Sequence, residues 1–134
     1  MEPVETVLLF MDRINQHDAD KLVELVTDDH EFVDSLGNTM RGRDSALKGW
    51  RGYFAFCPDY WLSHEEVFAR GNQVAVIGSA GGTIAAGGQL LPENKWKIPA
   101  AWLAVVNNGK IQKWQVYADN KPVYDILGGI KKTS

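Results

Sequence analysis

The chain has a single cysteine, Cys57, among its 134 residues. No internal disulfide can form, and no Cys/His cluster is available to hold a metal. Basic charge is also scarce: 14 Lys and Arg, never in a run, stand against 17 Asp and Glu, for a formal charge of -3. That leaves no footprint for the phosphates of a nucleic acid. No apolar stretch approaches the length that crosses a membrane, so no membrane partner is expected. The opening MEPVETVLLFMDRINQHD mixes acids into a short apolar pattern. It lacks the basic start and small-residue cleavage site of a secretory signal, which points to the cytoplasm. Three histidines occur, His17, His30 and His64, with no two at ligand spacing, so neither a metal nor a cofactor is expected. The glycine clusters GSAGG and AAGG share only composition with phosphate-binding loops, because their spacing differs and no Lys follows.

What is present is apolar substance, 45% of the residues, enough for one domain over 1–134 with 128–134 as a frayed tail. Val4, Val7, Leu8, Met11 and Ile14 follow Pro3 at helical spacing, predicting an amphipathic helix over residues 3 to 16. Asp18 is placed to cap a second, shorter helix carrying Leu22, Val23, Leu25 and Val26, ended by Thr27, Asp28 and Asp29. EFVD then reads as a strand, LGN as a turn and TMRG as a brief strand, before RDSALKGWRGYFAF resumes helical spacing up to Pro58. From residue 60 the chain turns to four strand-like segments: YWLSHEEVFA, QVAVIGSAGGTIAA, WKIPAAWLAVV and KIQKWQVYA. Val123, Ile126 and Leu127 suggest a short closing helix or turn. The plan is α+β: a cone-shaped, curved antiparallel sheet wrapped around three N-terminal helical segments. Gly78, Gly81, Gly82, Gly87 and Gly88 would help it bend. His17 and His30 fall beside acids in turns and are expected on the surface.

Four strings, NQHDADKLVELVTDD, FVDSLG, RGRDSAL and NGKIQKWQVYAD, together with the order of elements, resemble the nuclear transport factor 2-like superfamily. Within it, the resemblance is to the SnoaL-like branch of polyketide-cyclase relatives and steroid isomerases. It covers nearly the whole chain and implies the cone fold. It also implies a cavity between sheet and helices, a small hydrophobic ligand of cyclic or polyketide type, and a homodimer through the sheet face. In the isomerases an Asp at the end of the first strand moves a proton, and Asp34 matches that place. Their oxyanion donors would fall at Phe10 and at Ala100–Ala101, which donate no side-chain hydrogen bond. The cyclases and epoxide hydrolases place an acid inside the last strand, where this chain has Trp114, Val116 and Ala118 on one face.

Asp34 is therefore the candidate general base, with an Asx-type turn as its alternative role. His64, in SHEEV, is a secondary candidate, as a proton shuttle or on an exposed strand face. Asp119 is a pocket acid if the last strand is bulged, and otherwise a helix cap. Phe10, Ile14, Trp50, Tyr53, Trp114, Val116 and Ala118 are the candidate ligand-binding walls. The five tryptophans could all line a cavity, although alternation puts Trp96 and Trp102 on one face, where they could instead cover the outer sheet against a second subunit. Two functional readings remain open. One is a ligand-binding protein that is also a cofactor-independent isomerase or cyclase; the other is a non-catalytic binding or dimeric scaffold protein that has lost the chemistry.

Overall fold

The computed structural model describes the backbone of residues 1–133 and side chains through Ile130. Helix α1 spans Pro3–Asn15, with Pro in its first turn and a reciprocal capping box between Glu2 and Glu5. It buries Thr6, Val7, Phe10, Met11 and Ile14, the i, i+3, i+4 stripe of a helix with one core face. His17, with φ 58°, ends it in the left-handed region. Asp18 caps helix α2, Ala19–Val23, by accepting from the Lys21 amide at 3.1 Å.

Strand β1 then runs over Val26–Val33. Leu25 and Val26 therefore lie beyond α2, and Thr27–Asp29 are strand rather than helix end. The cause is long-range: Val26 pairs with Ile111, and the Ile111 amide donates to the Leu25 carbonyl at 2.6 Å. A tertiary ladder overrides the local helical spacing. Strand β2, Thr39–Arg41, pairs back on β1, and helix α3, Arg43–Phe56, follows. Strands β3, Trp61–Arg70, β4, Gln73–Thr83, β5, Lys95–Asn107, and β6, Lys110–Ala118, form an antiparallel meander. A 3-10 turn at Pro92–Asn94 leads into β5.

The sheet order is β2-β1-β6-β5-β4-β3. β1 runs parallel to β6, so the expected wholly antiparallel sheet contains one parallel pairing. This follows from helix α3 between β2 and β3: the chain returns to the sheet at its far edge, and its last strand closes against the first. The sheet is curved and does not close into a barrel. At Gly78 an added Cβ would sit 1.8 Å from the Ser63 carbonyl oxygen, beside the register shift between His64 and Glu66. β3 can cross β4 that closely only over glycine.

Helix α4, Lys121–Thr133, is longer than the short closing helix or turn expected after Asn120 and runs into the stretch 128–134 expected as a frayed tail. Val123 is buried, and Ile126, Leu127 and Ile130 pack against the core, so an apolar stripe continues past the two glycines. Ser134 lies outside the described residues. His30, expected on the surface, is fully buried: it lies within β1, and its Nδ1 is 2.8 Å from the Ile111 carbonyl oxygen. Among the described residues no helix is long and apolar enough to cross a membrane.

Candidate functional site

Alternation decides what the concave face of the sheet presents. In β5 the even-numbered residues Trp96, Ile98, Ala100, Trp102, Ala104 and Val106 are buried, while Lys95, Lys97 and Pro99 are exposed. Residues paired directly across strands share a face, so Val76, Trp102 and Val116 form one inward row. Helices α1 and α3 cover these rows but do not fill the space. A cavity of about 270 Å³ remains, close to the small end of ligand pockets.

Its inner part is aromatic. Trp50 and Tyr53 of α3, Tyr60 of the following turn, Trp96 and Trp102 of β5 and Trp114 of β6 all line it. The rings brace one another: Tyr53 and Tyr60 meet edge to face at 4.7 Å between centroids, and Trp102 stacks on Trp114 at 6.2 Å. Asp34, Ser35, Met40 and Asn120 form the rim. Asn120 Nδ2 donates to Ser35 Oγ at 2.7 Å, tying the entrance to α4 to the turn after β1. Among the described residues no Lys, Arg or His lines the cavity, and Asp34 is the one charged residue in its lining.

Asp34 is both a cavity residue and a turn residue. Its Oδ1 accepts from the Leu36 and Asn38 amides, each at 2.9 Å, and its Oδ2 accepts from Asn38 Nδ2 at 3.2 Å. The Asp34 amide and carbonyl also close the loop, with Asn38 and Gly37. This is an Asx turn whose carboxylate holds the hairpin between β1 and β2. One acceptor direction on Oδ2 remains open.

Tyr53 and Tyr60 carry the hydroxyls of the interior, beside the buried Trp96 Nε1, which is without a partner among the described residues. Neither hydroxyl has a hydrogen-bond partner among the described residues. Burial pushes the pKa of both phenols up, with the neighbouring Cys57 adding to it at Tyr53, and Tyr53 and then Cys57 adding to it at Tyr60. Both therefore remain protonated donors near neutral pH. Burial likewise pushes the Cys57 thiol up to about 11, with Asp59 adding to it and the nearby Trp96 indole weakly opposing. Such a thiol is inert. Behind it Asp59 accepts from the Thr83 amide at 2.6 Å and the Thr83 hydroxyl at 2.8 Å, fastening the turn after α3 to β4. Burial works against the Asp59 charge, but these bonds hold its carboxyl below the usual value.

The structure separates the residues singled out from sequence. Asp34, Trp50, Tyr53, Trp114, Val116 and Ala118 meet at the cavity. Phe10 and Ile14 are fully buried and do not line it; Phe10 packs edge-on to Trp114 at 4.9 Å, behind the wall. His64 is exposed on β3 beside the register shift and is outside the cavity. Asp119 is exposed and caps α4 through the Lys121 amide at 3.0 Å; β6 has no bulge at its end to turn it inward. Trp96 and Trp102 share a face as expected, but it is the inner one and not the outer. Exposed Lys95 and Lys97 carried the signal for that phase. Trp61 is the tryptophan outside the cavity lining, with Lys97 Nζ 5.9 Å above its ring. Tyr60, expected at the start of the strand-like YWLSHEEVFA and not among the walls, lies in the turn just before β3.

Residues 7–114 match the model of the SnoaL-like domain. The chain belongs to the SnoaL-like domain family. Solved structures share its fold. A proposed SnoaL-like polyketide cyclase from Shewanella denitrificans OS-217 superposes with a TM-score of 0.81 at 16% identity, over 95% of this chain and 97% of that one. IdmH, a proposed polyketide cyclase from Streptomyces antibioticus, gives 0.78 at 22% identity over 96% and 99%. A protein with a ketosteroid isomerase-like fold from Catenulispora acidiphila DSM 44928, solved with trimethylamine, gives 0.79 at 21% over 92% of each. Among curated proteins none matches the chain in sequence. At these identities the likeness to solved structures is one of fold, and the SnoaL-like site of this chain must be read from its own residues.

Proposed function

We propose that this SnoaL-like chain binds a small, cyclic hydrophobic molecule in the cavity between sheet and helices, as a binding protein rather than as an isomerase. The observation that carries this reading is the combination of an aromatic-walled cavity with a carboxylate already engaged by three hydrogen bonds. A cavity of roughly 150 Å³ with apolar walls accepts a single benzene ring, so the volume here suits one or two fused rings. By the resemblance, the oxyanion donors of steroid isomerases would fall at Phe10 and at Ala100–Ala101, all apolar here. Preorganised donors at the developing charge are usually the largest contribution to such catalysis. The reading includes a homodimer through the outer sheet face, supported by the exposed Phe68, Ile77 and Tyr117.

Cofactor-independent proton transfer on a cyclic or polyketide-like substrate is the second reading. It is favoured by one fact: Asp34 lines the cavity with an acceptor direction on Oδ2 still open. Both readings are tested by screening one- and two-ring compounds by NMR and following the indole signals of Trp50, Trp96, Trp102 and Trp114. Binding should shift those signals at concentrations on the order of millimolar or below. Silence from all four across the screen overturns the binding proposal. For any compound that binds, Asp34→Asn keeps the Oδ1 acceptor of the turn, so affinity should stay within about twofold. Turnover by the native protein that Asp34→Asn abolishes would establish the second reading instead.

A further inference from the structure

The interior polar atoms of the cavity have no structural task. Tyr60 is only 8% exposed, yet its hydroxyl has no partner among the described residues and neither has that of Tyr53. Both residues line the cavity, and the rings are held by contacts that leave each side chain little freedom: Tyr53 also packs on Phe56 at 5.6 Å, and Tyr60 lies 6.0 Å from Trp96. Neither hydroxyl is sealed off by protein: each opens on the cavity, where only a ligand or solvent can meet it. Phenylalanine would give the same ring packing without presenting a donor there. The Trp96 Nε1 on the same wall is likewise buried without a partner among the described residues, whereas Asp59 and Thr83 behind it satisfy each other. Unspent donors in one aromatic enclosure therefore point to an acceptor that arrives with the ligand.

Charge narrows the class of that acceptor. A carboxylate or phenolate ligand would find no Lys, Arg or His of the described residues on the wall. It would also meet Asp34 at the rim, so burying it would leave its charge uncompensated. A neutral oxygen needs only donors.

We propose that Tyr53 and Tyr60 form the inner recognition point of the cavity, donating hydrogen bonds to a neutral carbonyl oxygen on a one- or two-ring apolar ligand. These donors come from α3 and the turn after it. This inference rests on the binding role proposed above and specifies its ligand as an uncharged cyclic ketone, quinone or lactone. The carbonyl enters first, the ring system lies among the tryptophans, and Asp34 with Asn120 frames the entrance.

The experiment uses four probes on one frame: indane, 1-indanone, 1-aminoindane and indane-1-carboxylate. Their affinities are measured by NMR titration against the native protein, Tyr53→Phe, Tyr60→Phe and the double variant. Expected is roughly tenfold tighter binding of 1-indanone than of indane to the native protein, with each single substitution removing part of the difference and the double variant abolishing it. Indane itself should bind all four proteins alike, which serves as the control for an intact cavity. The carbonyl stretch of bound 1-indanone should lie below its value in an apolar solvent and return toward it in the double variant, a signature that altered packing would not produce. Equal binding of indane and 1-indanone by the native protein overturns this inference and leaves the binding role standing. Tightest binding of 1-aminoindane overturns it in favour of a cation site. If no probe binds, both proposals fail.

Discussion

At the scale of single residues, the question is where each polar group finds its partner. Asp34 finds its partners in the turn that it opens, Asp59 in Thr83, and Asn120 in Ser35, and each fastens one element to the next. His30 is the exception with a measurable consequence. Its Nδ1 meets the Ile111 carbonyl, while its Nε2 is buried without a partner. Burial depresses its pKa, and the Ile111 bond and the charges of Asp29 and Glu31 only partly offset this. The folded state therefore holds the neutral ring. Stability linked to His30 is fully present above the ordinary histidine value of 6.5 and is lost as pH falls from there through the lower folded value. The urea midpoint should accordingly drop between about pH 6.5 and pH 5 in the native protein. The slope should be shallower in His30→Gln, and equal slopes would remove His30 as the cause.

At the scale of elements, the helical and strand periods located most of the structure, and long-range contacts moved its boundaries. The 3.6-residue stripes of α1 and α3 and the alternation of β5 and β6 were visible because one face of each is apolar and continuous. The boundary of α2 was not, since Leu25 and Val26 keep helical spacing while β6 captures them as strand. The phase of β6 was read directly from Trp114, Val116 and Ala118. That of β5 needed the lysines beside Trp96. Gly78 marks the tightest of the close approaches that admit no side chain. Gly78→Ala would drive a methyl group into the Ser63 carbonyl and should cost about 3 kcal/mol in urea unfolding. Gly52, where an added Cβ meets nothing within 4 Å, is the control: alanine there, in the middle of α3, should be neutral or stabilising. A Gly78→Ala protein as stable as the native one would show that β3 can lift away from β4.

At the scale of the whole molecule, the sheet has one face inside the cone and one face open. On the open face Ile77, Ala101 and Tyr117 align across β4, β5 and β6, and Phe68, Ala75 and Leu103 align in the next row. Three of these six are large and well exposed, at 56% for Phe68, 43% for Ile77 and 51% for Tyr117, and they lie together, unlike scattered surface apolar residues. Sedimentation equilibrium should return twice the chain mass for the native protein and a lower mass for Ile77→Glu, with the cavity probes still bound. A native protein that sediments as a monomer removes the dimer. The amino-acid sequence by itself determined the class of fold, the position of α1, α3 and the four meander strands, and the family. These follow from local periodicity and turn residues, which act within a few residues of chain. Only the tertiary structure decided that β1 joins β6 in parallel, that His30 is inside, and that Trp96 and Trp102 face inward. It alone brought Tyr53 and Tyr60 together as unpartnered donors. Those outcomes depend on which distant segments meet, and a strand displaced by a single residue would have turned every one of its side chains to the other face.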